Sequence, residues 1–293
     1  MYRVCLAVAL LVTIAGGSIT LAPAQERQTA ATTPLPAAAP VIKHTDLAYY
    51  NGPDADRERH SLDLYLPKSR KHFPVLMFVH GGTWRSGSKR QYVAVGQSFA
   101  RSGIGMVIIN YRLSPQVRHP AHIQDVARAF AWTRTHIAKY GGDPARLFLF
   151  GHSAGGHLVS LLATDPEYLK AEKQIPSNIR GVISVSGVYS ISPTFPVFRP
   201  IFGTDVTACR DASPLCHVTG HHAPFLIAYG DKDFAQLDTM AIDMNAALEK
   251  CQSPTKILKL EGRNHYTIIT SVIEDTDPIH VAIRDFVTTV SSK

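Results

Sequence analysis

Residues 148–162, FLFGHSAGGHLVSLL, contain the pattern that decides the fold. An apolar run ends at Gly151, a single serine stands at Ser153, and apolar residues then return at helical spacing. Small residues flank the serine because a strand that reverses sharply into a helix leaves little room for side chains. Such a turn lifts the serine hydroxyl out of the sheet and sets it at a helix N-terminus. The stretch therefore predicts an α/β fold in which Ser153 is a candidate nucleophile.

Short apolar runs alternate with longer amphipathic segments over the rest of the chain. The apolar runs are PVLMFVH, MVIINY, LFLFG, GVISVSG, FLIAYG and KILKL, and their nearly continuous apolar character is typical of strands covered on both faces. Between them, the stretch AHIQDVARAFAWTRTHIAKYGG places Ile123, Val126, Phe130 and Ile137 on one helical face. We predict a mostly parallel central sheet with helices on both faces. The alternating stretch HSLDLYLP suits an antiparallel strand at its N-terminal edge.

The N-terminal segment has the composition of an export signal. Arg3 precedes the apolar run CLAVALLVTIAGG, and small residues follow at Ala22 and Ala24. We therefore predict a signal peptide over residues 1–24 and an exported protein, either periplasmic or secreted. An uncleaved N-terminal anchor is the alternative. The run is short for a bilayer span, so stable membrane insertion is not expected.

The remaining chain divides into a lead-in and one domain. Residues 25–43 are rich in Ala, Thr and Pro and carry almost no large apolar side chains, which predicts a disordered lead-in. Residues 44–293 are long enough for one substantial core, and we predict a single α/β domain for them. Within it, the proline-rich residues 192–222 are predicted to form an irregular insertion, either a structural loop or a segment that shapes the substrate site.

Charge and cysteine content exclude several classes of site. The formal net charge is +7, and it falls to +6 when the one basic residue of the signal is removed. Because the Lys and Arg residues are scattered and no nucleic-acid-binding motif accompanies them, we expect no nucleic-acid partner. Cys209 and Cys216 are spaced for a local disulfide, which leaves Cys251 as a thiol. Without a C-x-x-C pair or a third ligand near the histidines at 221–222, no metal site is predicted.

A glycine pair upstream of the serine predicts an oxyanion hole. In FVHGGTWRSGSK, Gly81 and Gly82 directly follow an apolar strand, so the backbone there can turn its N–H groups toward a substrate. The backbone N–H of Ala154 would be the other donor. His80 precedes the serine in the chain, whereas the base comes last in this type of site, so His80 is expected to organise the loop.

The order serine, acid, histidine limits the search for the base and the acid. His265 and His280 lie beyond the acidic candidates, and His265 is favoured because it follows the strand KILKL in a loop, whereas His280 belongs to a helix. Asp231 and Asp233 both follow the strand FLIAYG. Asp233 is favoured as the acid because Asp231 is better placed to shape the turn, and Asp238 is a more distant candidate.

The motifs HGGTW, GHSAGG, GDKD and GRNHYTI, in this order, resemble those of the α/β-hydrolase superfamily, specifically the esterase/lipase branch related to hormone-sensitive lipase. The resemblance runs from about residue 44 onward. It implies an α/β-hydrolase fold with Ser153 as nucleophile, Asp233 as acid, His265 as base, and an oxyanion hole from Gly81, Gly82 and Ala154. Thr83 and His152 stand where the hormone-sensitive-lipase pattern prefers Gly and Asp. The motifs are more similar to those of bifunctional feruloyl/acetyl-xylan esterases and kynurenine formamidases.

This resemblance implies a serine carboxylic-ester hydrolase that acts through an acyl-enzyme, without a metal or other cofactor, and the predicted signal peptide implies that it is exported. The expected substrates are small acyl or aromatic esters, free or linked to polysaccharide. Trp84 and Tyr266 are candidate pocket residues, and a packing role for Trp84 is equally expected. Two alternatives stay open: an arylformamidase-like amidase with the same triad, and a non-enzymatic binding module on a hydrolase scaffold.

Overall fold

A computed structural model describes residues 40–68 and 70–292. The predicted signal peptide, residues 1–24, and most of the predicted lead-in lie outside the described residues. Eight strands form one sheet within the described part. They are β1 (Val41–Ala48), β2 (Ser61–Pro67), β3 (Phe73–Val79), β4 (Gly105–Ile109), β5 (Gly142–His152), β6 (Gly181–Val185), β7 (Phe225–Lys232) and β8 (Thr255–Asn264).

The strand order is β1-β2-β4-β3-β5-β6-β7-β8. Strands β1 and β2 are antiparallel to their neighbours, and the pairs from β4 through β8 are parallel. The predicted mostly parallel sheet with an antiparallel N-terminal edge is therefore confirmed. Because parallel strands share one carboxyl edge, the loops after β3, β5, β6, β7 and β8 open on the same side of the molecule.

Helices cover both faces of this sheet. They are α1 (Val93–Arg101), α2 (Ala121–His136), α3 (Ala154–Thr164), α4 (Pro166–Ala171), α5 (Arg199–Phe202), α6 (Val206–Asp211), α7 (Leu237–Lys250), α8 (Thr267–Thr270) and α9 (Pro278–Ser291). Short 3-10 helices span Lys89–Tyr92, Ile137–Tyr140, Pro176–Asn178, Pro214–His217 and Ser271–Ile273. Alternate residues of β3 enter two cores, since Met77 packs on the side of α2, α3 and α7 while Phe78 packs on the side of α1 and α9. A strand buried on both faces explains the continuous apolar runs.

The folded region begins earlier than the sequence predicts. Strand β1 starts at Val41, so Val41, Ile42 and Lys43 belong to the sheet and not to a disordered lead-in. They pair with Pro67, Leu66 and Tyr65 of β2. Backbone pairing of this edge strand with β2 orders these residues although the preceding composition is poor in large apolar side chains.

Residues 192–222 are more regular than predicted, because they contain α5, α6 and the 3-10 helix Pro214–His217. Phe198 and Phe202 are buried in the core on the side of α3, which anchors the segment. The disulfide considered between Cys209 and Cys216 is not formed, and both thiols are free. Cys209 is buried within α6 whereas Cys216 is exposed to solvent, so the two side chains occupy different environments. Within residues 40–68 and 70–292, no helix has the length and apolar character to cross a bilayer.

Candidate active site

Ser153 occupies the sharp turn between β5 and α3 at the carboxyl edge of the sheet. Its backbone has φ 56° and ψ −120°, a conformation that L residues rarely adopt and that strained functional turns often hold. A Cβ at Gly155 would lie 1.9 Å from the carbonyl oxygen of Val79, so only glycine lets α3 begin this close to β3. The turn is tied to the neighbouring strand by the Ser153 amide, which donates to the Val185 carbonyl at 2.9 Å.

A chain of hydrogen bonds joins Ser153 to His265 and Asp233. The Ser153 Oγ lies 2.9 Å from His265 Nε2, and His265 Nδ1 lies 2.7 Å from Asp233 Oδ1. Asp233 directly follows β7 and His265 directly follows β8, so two adjacent strand ends deliver the two side chains. The structure thus brings together the three residues that the sequence analysis selected as nucleophile, acid and base.

Two further donors hold the Asp233 carboxylate, and the sequence analysis predicted neither of them. The Phe234 amide donates to Oδ1 at 2.8 Å, and the Ser186 hydroxyl donates to Oδ2 at 2.5 Å. Burial by itself raises the pKa of Asp233, but the hydrogen bonds from His265 and Ser186 outweigh it and hold the pKa below the usual 3.8. The carboxylate therefore stays ionised and can stabilise a positive imidazolium. Ser186 directly follows β6, and this position after a strand was the sequence signal that could have identified it as a site residue.

The other acidic and histidine candidates lie elsewhere. Asp231 is exposed, and the Asp238 carboxylate bonds to Thr239 at the start of α7; among the described hydrogen bonds neither reaches His265. His280 is buried on α9, where Nδ1 lies 2.8 Å from the Val272 carbonyl oxygen. His280 therefore packs in the core, and its described hydrogen bonds do not connect it to Ser153.

The loop that is predicted to form the oxyanion hole lies against Ser153. A Cβ placed on Gly81 would be 3.0 Å from the Ser153 Cβ, which shows how closely the loop approaches the serine. Gly82 has φ +118°, a conformation that disfavours other residues. Ala154 is the first residue of α3, so its N–H has no carbonyl partner within the helix. Gly81, Gly82 and Ala154, the three predicted donors, line the same cavity as Ser153.

His80 and His152 contact backbone carbonyl groups of the site, those of Gly81 and His265. His80 is buried, its Nδ1 lies 2.7 Å from the Gly81 carbonyl, and burial lowers its pKa to about 4. His152 is also buried, and burial lowers its pKa to about 3. The neutral His152 ring donates from Nε2 to the His265 carbonyl at 2.9 Å, so it fixes the backbone of the base. The sequence analysis recorded His152 only as a departure from the family pattern.

A cavity of about 640 Å³ opens in front of Ser153. None of its lining residues within the described chain is Lys, Arg, Asp or Glu. Trp84 lines the cavity, but it is only 2 % exposed, and its Nε1 donates to His157 Nδ1 at 3.3 Å. Trp84 therefore both packs in the core and forms part of the cavity wall. Tyr266 stands at the rim and is 65 % exposed. The remaining apolar lining includes Val188, Phe195, Phe198, Leu237, Met240 and Ile269.

No metal centre accompanies these side chains in residues 40–68 and 70–292, where His, Cys, Asp and Glu form no group of three or more able to hold an ion. The arrangement that is present joins a hydroxyl, an imidazole and a carboxylate beside backbone N–H donors. These groups can perform nucleophilic acyl transfer by acid–base chemistry.

The chain is similar in sequence to one protein-family model and to several curated proteins. The BD-FAE family model matches residues 62–239. The probable carboxylic ester hydrolase LipM of Mycobacterium tuberculosis is 34% identical over 55% of this chain and 41% of its own length. Kynurenine formamidase of Salmo salar is 24% identical over 76% of each chain. The chain spans about half the length of LipM and of several other curated relatives that it matches.

A solved structure described as a truncated form of a carbohydrate esterase from gut microbiota superposes with a TM-score of 0.74. It covers 88% of this chain and 99% of the other at 21% identity, a level that establishes the fold alone. The resemblance found in the sequence motifs is confirmed. Because the family model spans more than half of the sequence, the chain belongs to the BD-FAE family, within the esterase/lipase branch of the α/β-hydrolase superfamily.

Proposed function

We propose that this protein is a serine carboxylic-ester hydrolase with Ser153 as nucleophile, His265 as base and Asp233 as acid. The observation that carries the proposal is the continuous hydrogen-bond chain from Asp233 through His265 to Ser153, with contacts of 2.7 and 2.9 Å. A binding module that had lost catalysis would not need all three hydrogen-bonded residues beside a predicted oxyanion loop.

The geometry supports a two-step reaction. His265 Nε2 accepts the Ser153 proton as Oγ attacks the ester carbonyl, and Asp233 stabilises the imidazolium that results. The N–H groups of the Gly81–Gly82 loop and of Ala154 hold the negative oxygen of the tetrahedral intermediate. His265 then gives its proton to the departing alcohol, which leaves an acyl-enzyme. Water, activated by the same imidazole, releases the acid and restores Ser153.

We propose uncharged esters with small acyl or aromatic groups as substrates, and the charge-free pocket supports the absence of charge. Its lining combines apolar side chains with uncharged polar groups and carries no Lys, Arg, Asp or Glu in the described residues. A charged group moved from water into such a pocket would lose hydration without gaining a partner. Such esters can be free or attached to polysaccharide at the open side. We further propose export to the periplasm or the exterior, for which the composition of residues 1–24 is the support.

An arylformamidase-like amidase is the second candidate, because the Salmo salar relative aligns over 76% of both chains. The same triad could attack a formamide. N-formylkynurenine, however, carries an ammonium and a carboxylate, and the described pocket lining offers neither charge a partner. This difference favours a neutral ester over the amino-acid substrate.

The test is a set of initial hydrolysis rates measured with the chain from Gln25 onward. The substrates are p-nitrophenyl esters from acetate to laurate, methyl ferulate, acetylated xylan and N-formylkynurenine, with Ser153→Ala as the blank. We expect Ser153-dependent turnover that is fastest on short acyl esters or on ferulate. Preference for N-formylkynurenine would establish the amidase, and rates equal to those of the Ser153→Ala blank on every substrate would contradict both.

A further inference from the structure

Two aromatic side chains flank the imidazole of His265. The Phe234 ring stacks on it with centroids 4.3 Å apart and planes inclined by 26°. The Tyr266 ring stands nearly perpendicular to the imidazole, at 89° and 5.6 Å. The two rings also meet each other edge to face, at 6.0 Å. We call Phe234 and Tyr266 the aromatic lip.

The aromatic lip is exposed although its side chains are large and apolar. Phe234 is 55 % exposed and Tyr266 is 65 % exposed, and both line the mouth of the cavity. Exposed rings grouped at the rim of a pocket are a recognised sign of a binding surface, because contact with a ligand removes apolar area from water.

The backbone holds the aromatic lip in place. The Phe234 amide donates to Asp233 Oδ1 at 2.8 Å, and the Tyr266 amide donates to Asn264 Oδ1 at 3.0 Å. The turns after β7 and β8 that deliver the acid and the base thus also position the two rings. A ligand that uses the rings would therefore find them ordered before it binds, and less conformational entropy would be lost.

The chemistry of the proposed reaction identifies which part of the ester meets these rings. His265 must donate its proton to the oxygen of the departing alcohol, so that oxygen lies beside Nε2. The oxyanion donors meanwhile fix the carbonyl oxygen on the side of Ala154 and the glycine loop. The substituent on the alcohol oxygen is consequently the part of the substrate nearest to rings that contact the imidazole itself.

We propose that the aromatic lip is the alcohol-side subsite, and that it selects esters whose alcohol carries a flat, uncharged ring close to the ester oxygen. This inference rests on the proposed function. A flat ring can stack on Phe234 and meet Tyr266 edge to face, two geometries that aromatic pairs prefer. A saturated ring of the same size buries similar area but lacks the π-face. A charged alcohol would find no opposite charge in the described lining.

The test compares benzyl acetate with cyclohexylmethyl acetate, since the two esters share an acyl group and have alcohols of similar size and acidity. The measured quantity is the ratio of kcat/KM for benzyl to that for cyclohexylmethyl. An aromatic contact of this kind changes the ratio about two- to tenfold in favour of benzyl. We expect Phe234→Leu and Tyr266→Leu each to move the ratio toward one, and Phe234→Tyr to keep it. Effects on the base itself cancel in the ratio because both substrates share them.

Phe286→Leu is the matched control, because this half-buried ring lies on α9 and packs on Phe148. We expect it to leave the benzyl preference unchanged. A wild-type ratio near one, or a preference that survives both Phe234→Leu and Tyr266→Leu, would overturn the alcohol-side subsite while Ser153-dependent hydrolysis still supports the esterase. Hydrolysis of both acetates that is the same in Ser153→Ala as in the wild type would instead overturn the proposed function.

Discussion

The hydroxyl of Ser186 donates a 2.5 Å hydrogen bond to Asp233, on the carboxylate oxygen that His265 does not use. The carboxylate is thus held at both oxygens, by the base on one side and by the end of β6 on the other. Because hydrogen bonds of this kind favour the charged form, Ser186 helps to keep the acid ionised and correctly oriented.

We expect Ser186→Ala to lower kcat/KM about tenfold, since a hydrogen bond to a charged group contributes about 1.5–3 kcal/mol. Loss of this donor raises the pKa of Asp233, so the carboxylate becomes protonated at a higher pH as the solution is acidified. Because Ser186 acts through Asp233 and His265 and does not line the cavity, the loss should appear in kcat while KM changes little. Ser160→Ala is the control, because the Ser160 hydroxyl bonds to the Gly156 carbonyl within α3. A wild-type kcat in Ser186→Ala would contradict this role.

Replacing the acid distinguishes Asp233 from its neighbour. Asp233→Asn should reduce kcat by about 10³- to 10⁴-fold, because the amide no longer stabilises the imidazolium or selects the productive tautomer. Asp231→Asn should change kcat by less than about threefold, since Asp231 is exposed and the described hydrogen bonds do not join it to His265. Steady-state kinetics on one short-chain ester, with circular dichroism to verify folding, decide the matter. A larger loss in Asp231→Asn would reverse the assignment.

The His152 side chain should act as a positioning residue for the base. His152→Ala leaves the buried His265 carbonyl without its donor, and this costs about 1–3 kcal/mol of unfolding free energy. We also expect kcat to fall at least about tenfold, because the imidazole of His265 is no longer fixed relative to Ser153. His221→Ala is the matched control, since exposed His221 also lies near a backbone carbonyl, that of Gln252. Equal kinetics in His152→Ala and the wild type would refute the positioning role.

Several buried histidines should make the fold sensitive to acid. Burial lowers the pKa of His157 to about 3, whereas the unfolded chain has the ordinary value of about 6.5. Between these values the unfolded state binds a proton that the folded state does not, so stability falls as the pH decreases below about 6.5. Each such group contributes a slope of about 1.4 kcal/mol per pH unit. The unfolding free energy can be measured with urea at several pH values between 4.5 and 6. In His157→Gln, its change with pH should correspond to about one fewer proton taken up on unfolding than in the wild type. An equal pH dependence in the two proteins would contradict this prediction.

Local sequence patterns were sufficient for the sheet and for the main parts of the site. The strands that are buried on both faces appear as continuous apolar runs, and Ser153, Asp233 and His265 each directly follow a strand. The prediction of burial on both faces was wrong for β8, because it is the edge strand and most of its residues are exposed or partly buried. Because parallel strands end at one edge, residues that follow strands must gather there, whatever the helices between them do. The start of β1 was missed because pairing with β2, not composition, orders Val41–Lys43.

Contacts between distant segments could not be predicted in the same way. Ser186 and Asp233 meet only because β6 and β7 are neighbours, and His152 reaches His265 across 113 residues of sequence. The role of Trp84 depends on Phe202 of α5 and on Phe198 just before that helix. Both rings pack against Trp84, within a segment whose composition predicts irregular structure. The exposure of Phe234 at the cavity mouth likewise follows from tertiary packing and has no local sequence signal.

Covalent labelling tests the role of Ser153 most directly. The protein is incubated with a p-nitrophenyl alkylphosphonate, and intact mass, peptide mapping and remaining ester hydrolysis are measured. An activated Ser153 should displace p-nitrophenolate, gain one phosphonyl group on the peptide that contains it, and lose hydrolysis in proportion to labelling. Ser153→Ala should take up no phosphonyl group and hydrolyse no ester. Continued ester hydrolysis by Ser153→Ala at the wild-type rate, or inactivation with the label on another residue, would contradict the assignment of Ser153 as the nucleophile.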